Sequence, residues 1–116
     1  MAIDETEGVR ILKERFVAAG LDIVDAHPLD VAGKTLQLDG YDPARKIGFE
    51  YITTAAGDRD ELTAEVVAEL ERRMRAGELY LLLIDETEVA SAGLLERAAE
   101  HFLGELRARG RLGERT

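Results

Sequence analysis

The chain has no cysteine and no tryptophan, only two histidines, two prolines and a single serine. Without cysteine there is no disulfide, no thiol nucleophile and no zinc–thiolate centre. The lack of disulfides fits a cytoplasmic protein. His27 and His101 show none of the close spacing that a two-histidine metal motif needs. His101, beside Phe102, reads as a helix-face residue, and His27, on one strand face with Asp25, as the end of an edge strand. Ser91 stands where a helix should begin and reads as its cap, which leaves no serine for nucleophilic chemistry. Aromatic residues are 5% of the chain, thin for a platform that stacks bases or sugars. The longest apolar run, Leu79 to Ile84, is six residues, far short of a membrane span. The opening MAIDETEGVR is acidic and lacks the apolar core of a signal peptide.

What is present is an ordinary globular composition. The 116 residues are 46% apolar and 34% charged, which fits one soluble domain over residues 1–116. A chain of this length buries roughly two-thirds of the surface its unfolded form exposes. Acids outnumber bases 24 to 15, a formal charge of -9. That surface repels phosphate backbones and disfavours nucleic acid as a partner. Arginines cluster at Arg72, Arg73 and Arg75, and again at Arg107, Arg109, Arg111 and Arg115. Both runs fall where helices should end, and there cations complement the helix dipole.

Periodicity predicts an α/β fold in the order α-β-β-β-α-β-α, a four-stranded mixed sheet flanked by helices. Val9, Leu12, Phe16 and Ala19 form the stripe of a first helix over about Glu5 to Ala19, with Gly20 as its stop. A strand near Leu21 to Ala26 should end at His27-Pro28, leaving Leu29 to Gly33 as loop. Lys34 to Asp39 and Lys46 to Thr54 read as an antiparallel hairpin around the turn residues Gly40 to Arg45. In the second of these strands Ile47, Phe49 and Tyr51 share one face, and Gly48, Glu50 and Ile52 the other. A helix over about Glu61 to Ala76 carries Leu62, Val66, Leu70 and Met74, with Asp58 or Asp60 as its cap. Leu79 to Ile84 has the continuous apolar character of a central strand covered on both faces, parallel to the one before it. A last helix, capped by Ser91, packs through Leu94, Leu95, Ala98, Phe102 and Leu106. Arg111 to Thr116 reads as a frayed tail. The acidic run Asp85, Glu86, Glu88 reads as a solvated loop ahead of that helix.

Two fragments mimic a nucleotide-binding site. Gly33-Lys34-Thr35 looks like the end of a phosphate loop, and Leu81 to Glu86 like an apolar strand ending in metal-binding acids. The first lacks its upstream glycine, since Pro28 stands there, and is followed by a strand instead of the helix whose N-terminus would hold phosphate.

The segment LQLDGYDPARKIGFEYIT, residues 36–53, is the most informative. Asp39, Asp42 and Glu50 sit among apolar residues, and a carboxylate buried there must be paired, protonated or bound to a metal. The plainer roles are acceptance of turn N–H groups by Asp39 and Asp42 and pairing of Glu50 with Lys46, Arg45 or a helix arginine. Glutamate in mid-strand is disfavoured by propensity, which singles out Glu50.

In element order, and in an acid at the end of the second strand with a glutamate inside the third, residues 5–84 resemble the PD-(D/E)xK nuclease superfamily. That resemblance implies Asp39 (or Asp42) in the aspartate position and Glu50 in the acidic one. Asp39 and Glu50 would then ligate magnesium or manganese, whose bound water attacks a phosphodiester. The lysine position is Ile52, which can neither orient a water nor stabilise negative charge. Lys46 precedes Glu50 on the same face by about 13 Å along the strand. The expectation is therefore a non-catalytic binding domain with a degenerate nuclease-like core and no cofactor, acting on a protein partner or on a second copy of itself. The alternative is a metal-dependent phosphodiesterase using Asp39, Asp42 and Glu50. A third option, an inhibitor that mimics nucleic-acid charge, draws on the charge alone.

Overall fold

The computed structural model describes residues 3–54 and 58–112, the side chains of residues 58 and 59 excepted. The elements run in order: helix α1 (Glu5–Ala18), strands β1 (Val24–Val31), β2 (Lys34–Asp42) and β3 (Ile47–Ile52), a single helical turn α2 (Asp58–Glu61), helix α3 (Ala64–Arg75), strand β4 (Tyr80–Asp85) and helix α4 (Ala92–Ala108). The sheet order is β1-β2-β3-β4. β1, β2 and β3 form an antiparallel meander, and β4 lies parallel to β3. The expected α/β class and mixed four-stranded sheet are what the chain adopts.

Alternation along β3 and β4 divides the core into two layers. Ile47, Phe49 and Tyr51 face α1 and α4, packing with Leu12, Phe16, Ile84, Leu95 and Leu103. The rings of Phe16 and Phe49 lie 4.9 Å apart. On the other face Leu36, Leu38, Tyr41 and Leu81 pack with Val66 and Leu70 of α3. The apolar stripes explain the helices. α1 buries Gly8, Ile11, Leu12 and Phe16, and α4 buries Leu95, Ala99, Leu103 and Leu106. Leu94, expected in the core, is 44% exposed, because the buried stripe of α4 starts one residue later.

The caps are local. Asp4 accepts from the Glu7 N–H at the start of α1, and Ser91 from the Leu94 N–H at the start of α4, as its position suggested. The cap of α3 is neither Asp58 nor Asp60 but Thr63, whose Oγ1 accepts from the Val66 N–H. Asp58 and Asp60 belong to the separate turn α2, and the side chain of Asp58 lies outside the described residues. The arginine run of residues 72, 73 and 75 does occupy the last turn of α3. Arg115 and residues 113–116 of the expected tail lie outside the described residues.

Three strand expectations need correction. β1 does not stop at His27-Pro28; it runs through Pro28, opposite Gln37, to Val31. As an edge strand it needs ladder donors only on alternate residues, so a residue without an N–H is tolerated. Ala32 and Gly33, both at positive φ (+50° and +79°), make the two-residue turn that the right-handed strand twist favours. β2 continues past Gly40 to Asp42, and the loop is Pro43 to Lys46. β4, finally, is not central. Helices cover both its faces, but its outer edge pairs with nothing among the described residues.

Candidate functional site

The three hairpin acids do not form one cluster. Asp42, 3% exposed, ends β2 opposite Ile47. Its Oδ1 accepts from the N–H groups of Ala44 and Arg45 at 3.0 and 3.1 Å, and its Oδ2 from the Asp22 N–H at 3.0 Å. It holds the β2–β3 loop closed and pins the segment entering β1 to it. Lys46 leaves this loop at φ +61° and is exposed, so it does not share the Glu50 strand face as its spacing suggested. A left-handed residue at the loop exit turns the side chain out of the strand's alternation.

Asp39 and Glu50 are brought together. The β2–β3 ladder runs from Asp42↔Ile47 to Gly40↔Phe49, and the next opposed pair would be Asp39 and Glu50. The ladder stops there, and side chains replace it. Glu50 Oε1 accepts from the Asp39 N–H at 3.2 Å, and Asp39 Oδ2 accepts from the Tyr51 N–H at 2.8 Å. Glu50 is 1% exposed, on the α3 side of the sheet, while Asp39 is half-buried. The strands separate here because β2 changes direction. Leu36, Leu38 and Tyr41 all reach the α3 layer, which strict alternation forbids, so the alternation of β2 slips at Asp39-Gly40 while its register against β1 stays constant, Gly40 opposite Asp25 and Leu38 opposite His27. On the facing strand Ala26 takes φ +50°. Gly40 admits the change because the Phe49 ring lies where a Cβ would stand, 2.4 Å away.

Tyr51 ties the pair to α1. Its backbone N–H serves Asp39, and its hydroxyl donates to the Ile3 carbonyl. Burial, then the nearby Glu86 charge, raises its phenol above the ordinary value. Tyr41 on the opposite face is raised in the same direction by burial and by Asp42. Ile52, in the position a nuclease-like core gives to lysine, is half-buried and pairs with Asp85 on β4.

Beside Asp39 lies an open cleft of about 480 Å³, walled by Glu5 of α1, Asp25 and Ala26 of β1, Gln37 of β2 and Glu61 of α2. Glu5 also accepts from the buried Thr53 hydroxyl at 3.1 Å. These acids come from three different elements, and nothing in their sequence spacing announces that they meet. Among the described residues no three histidine, aspartate or glutamate side chains converge as a metal-holding group. Asp39 and Glu50, the residues expected to ligate magnesium or manganese, direct the oxygens described above at backbone amides. The acidic run after β4 is also engaged: Asp85 accepts from the Thr87 N–H and Glu86 from the Thr54 N–H. It was expected to be a solvated loop, but it closes the C-terminal end of the parallel pair. Of the histidines, His101 is exposed and faces Glu105 at 3.5 Å, and His27 packs against the Tyr41 ring at 4.9 Å.

Among the described residues no helix is long and apolar enough to cross a membrane. No family model matches the chain, and neither does any curated protein or solved structure.

Proposed function

We propose that the chain is a non-catalytic interaction domain, built on a core of nuclease-like element order in which the acid pair has an architectural role. The observation that carries this reading is the Asp39–Glu50 arrangement. Two carboxylates take up the backbone donors of Asp39 and Tyr51 where β2 parts from β3, and the neighbouring lysine position holds Ile52. A carboxylate accepting backbone N–H groups in a buried setting is held in place, with fewer lone pairs left for a cation. The antiparallel meander followed by a parallel β4 supports the likeness of the core to the PD-(D/E)xK nucleases. Fold analogy supplies no activity by itself. The acidic body favours a protein partner over nucleic acid.

A second reading rests on the cleft. Asp39 borders it together with Glu5, Asp25 and Glu61, and hard divalent cations take oxygen ligands of this kind. In that reading Asp39 and Glu50 bind magnesium or manganese and the domain is a phosphodiesterase. Calorimetric titration with manganese separates the two. The interaction-domain reading expects no heat above dilution, in the natural chain or in Glu50→Gln. Saturable binding in the natural chain that Glu50→Gln abolishes overturns it in favour of the metal enzyme.

A further inference from the structure

A four-stranded open sheet has two edges, and this one treats them differently. β1 is guarded: it carries Pro28, the exposed acids Asp25 and Asp30, and Ala26 at φ +50°. Those are the devices by which edge strands avoid pairing with other chains. β4 has none of them. Its sequence, YLLLID, contains no proline, glycine or basic residue, and its only charge is the terminal Asp85, which caps the next turn. Tyr80, Leu82 and Leu83 are half-buried. They line a groove of about 590 Å³ between Met74 of α3 and Phe102 of α4.

The groove carries charges of both signs, and Glu105, which also lines it, lies 3.6 Å from Arg109 and offsets it. Arg75 and Arg109 line it and flank the Tyr80 end, where Arg111 also lies over the Tyr80 ring at 5.3 Å. Glu88 lines it beyond the Ile84 end. Arg75 and Glu88 are exposed, and neither forms an ion pair among the described residues. With Arg109 offset by Glu105, these two charges are one positive and one negative at opposite ends of the strand, and such an edge is complementary to itself when reversed, which is what a two-fold axis does.

We propose that β4 is the interface of a homodimer, in which two copies pair their β4 edges antiparallel and join the sheets into one. A strand opposed to its own copy keeps side chains on matching faces only if the opposed positions differ by an even number. Centring the axis on Leu82 meets that condition and sets Tyr80 opposite the partner's Ile84, with all three positions on the α4 side. Arg75 then approaches the partner's Glu88 at each end. The backbone groups of the open edge gain hydrogen bonds, and the Leu82 and Phe102 surfaces leave water. This inference rests on the reading of the chain as an interaction domain and names its partner.

The test is sedimentation of the full chain across the micromolar range at low salt. The expected species has twice the 12.8 kDa chain mass. Arg75→Glu and Glu88→Arg, both at exposed positions, each weaken the dimer by roughly tenfold, and the double exchange restores it, because the swapped charges still face each other. Leu82→Lys gives a monomer with an unchanged circular dichroism spectrum. A chain that is monomeric throughout the range overturns the proposal. So does a dimer indifferent to both charge exchanges, which would place the interface elsewhere. Neither result touches the interaction-domain reading, which the manganese titration decides.

Discussion

Gly8 in the middle of α1 sets two well-measured effects against each other. Glycine inside a helix costs about 0.8–1 kcal/mol relative to alanine, so Gly8→Ala on a free helix face would stabilise the protein by that amount. Gly8, however, is buried against the fully buried Tyr51 ring. A Cβ at residue 8 would stand 2.5, 2.6 and 2.9 Å from the Cε2, Cδ2 and Cζ atoms of that ring. Carbon atoms settle at about 3.5–4.0 Å, so helix or ring must retreat by about 1 Å. The ring is not free to do so, because its hydroxyl is bonded to the Ile3 carbonyl and its backbone to Asp39. Nor is the helix, because Phe16 one face further along is packed on Phe49. Overpacking of this kind costs about 1–3 kcal/mol, and against the propensity gain of about 0.8–1 kcal/mol the net expectation is a loss of up to about 2 kcal/mol.

Urea unfolding followed by far-ultraviolet circular dichroism measures this directly. Gly8→Ala should lower the midpoint with the slope unchanged, since the surface exposed on unfolding is the same. In a Tyr51→Leu background, where the ring edge is gone, the same substitution should be neutral or stabilising, and the difference between the two backgrounds isolates the clash. A Gly8→Ala protein that is more stable by about 1 kcal/mol in the natural background would refute the reasoning, because it would mean that propensity alone governs the position and the ring yields freely.

Two other expectations concern single groups. Thr63→Ala removes the side-chain acceptor that caps α3 and should cost about 1 kcal/mol, read as a drop of a few degrees in the thermal midpoint. Asp60→Ala, at the residue that sequence spacing offered as the alternative cap, should move it by less than about 0.5 kcal/mol. Glu69 receives hydrogen bonds from Arg72 and Arg73, which hold its carboxyl at about 2 against an ordinary 4.5. A carboxyl depressed in the folded state contributes stability that is complete above the unfolded value and is lost as pH falls from about 4.5 toward about 2. The gap in thermal midpoint between the natural chain and Glu69→Gln should therefore be largest near neutrality, small because the pair is at the surface, and should close over that acid window. A gap independent of pH would show that the arginines do not act through charge.

The parts of the fold that were legible in the sequence are those with local causes. Ser91 caps the last helix, as its position predicts, and the stripe through Val66 and Leu70 faces the core. Ile47, Phe49 and Tyr51 share the expected face because alternation is a property of the strand alone. What misled depends on the neighbours. Pro28 reads as a strand breaker unless its strand is known to lie at an edge. Leu79 to Ile84 reads as central because an apolar strand with helices on both faces has the same composition as one between two strands, and only the sheet order shows the open side. Gly40-Tyr41-Asp42 has turn chemistry, yet the turn begins at Pro43, because Tyr41 and Asp42 are both buried by tertiary packing.

The acid pair shows how the same residues carry two meanings. In sequence, carboxylates on adjacent strands suggest metal chemistry, since burying such groups without a partner costs several kcal/mol. The structure presents the converse need. Where β2 leaves β3, the N–H groups of Asp39 and Tyr51 lose their ladder acceptors, and a buried backbone donor left unpaired costs about 1–3 kcal/mol. Alanine at 39 and 50 would leave both orphaned. Asparagine and glutamine could accept, but each would also carry an amide NH2 that needs a partner of its own. A carboxylate has acceptors only, and the two here satisfy each other's stretch of chain, Glu50 serving residue 39 and Asp39 serving residue 51. The requirement for acids at these positions thus follows from the divergence of two strands, before any ligand is considered.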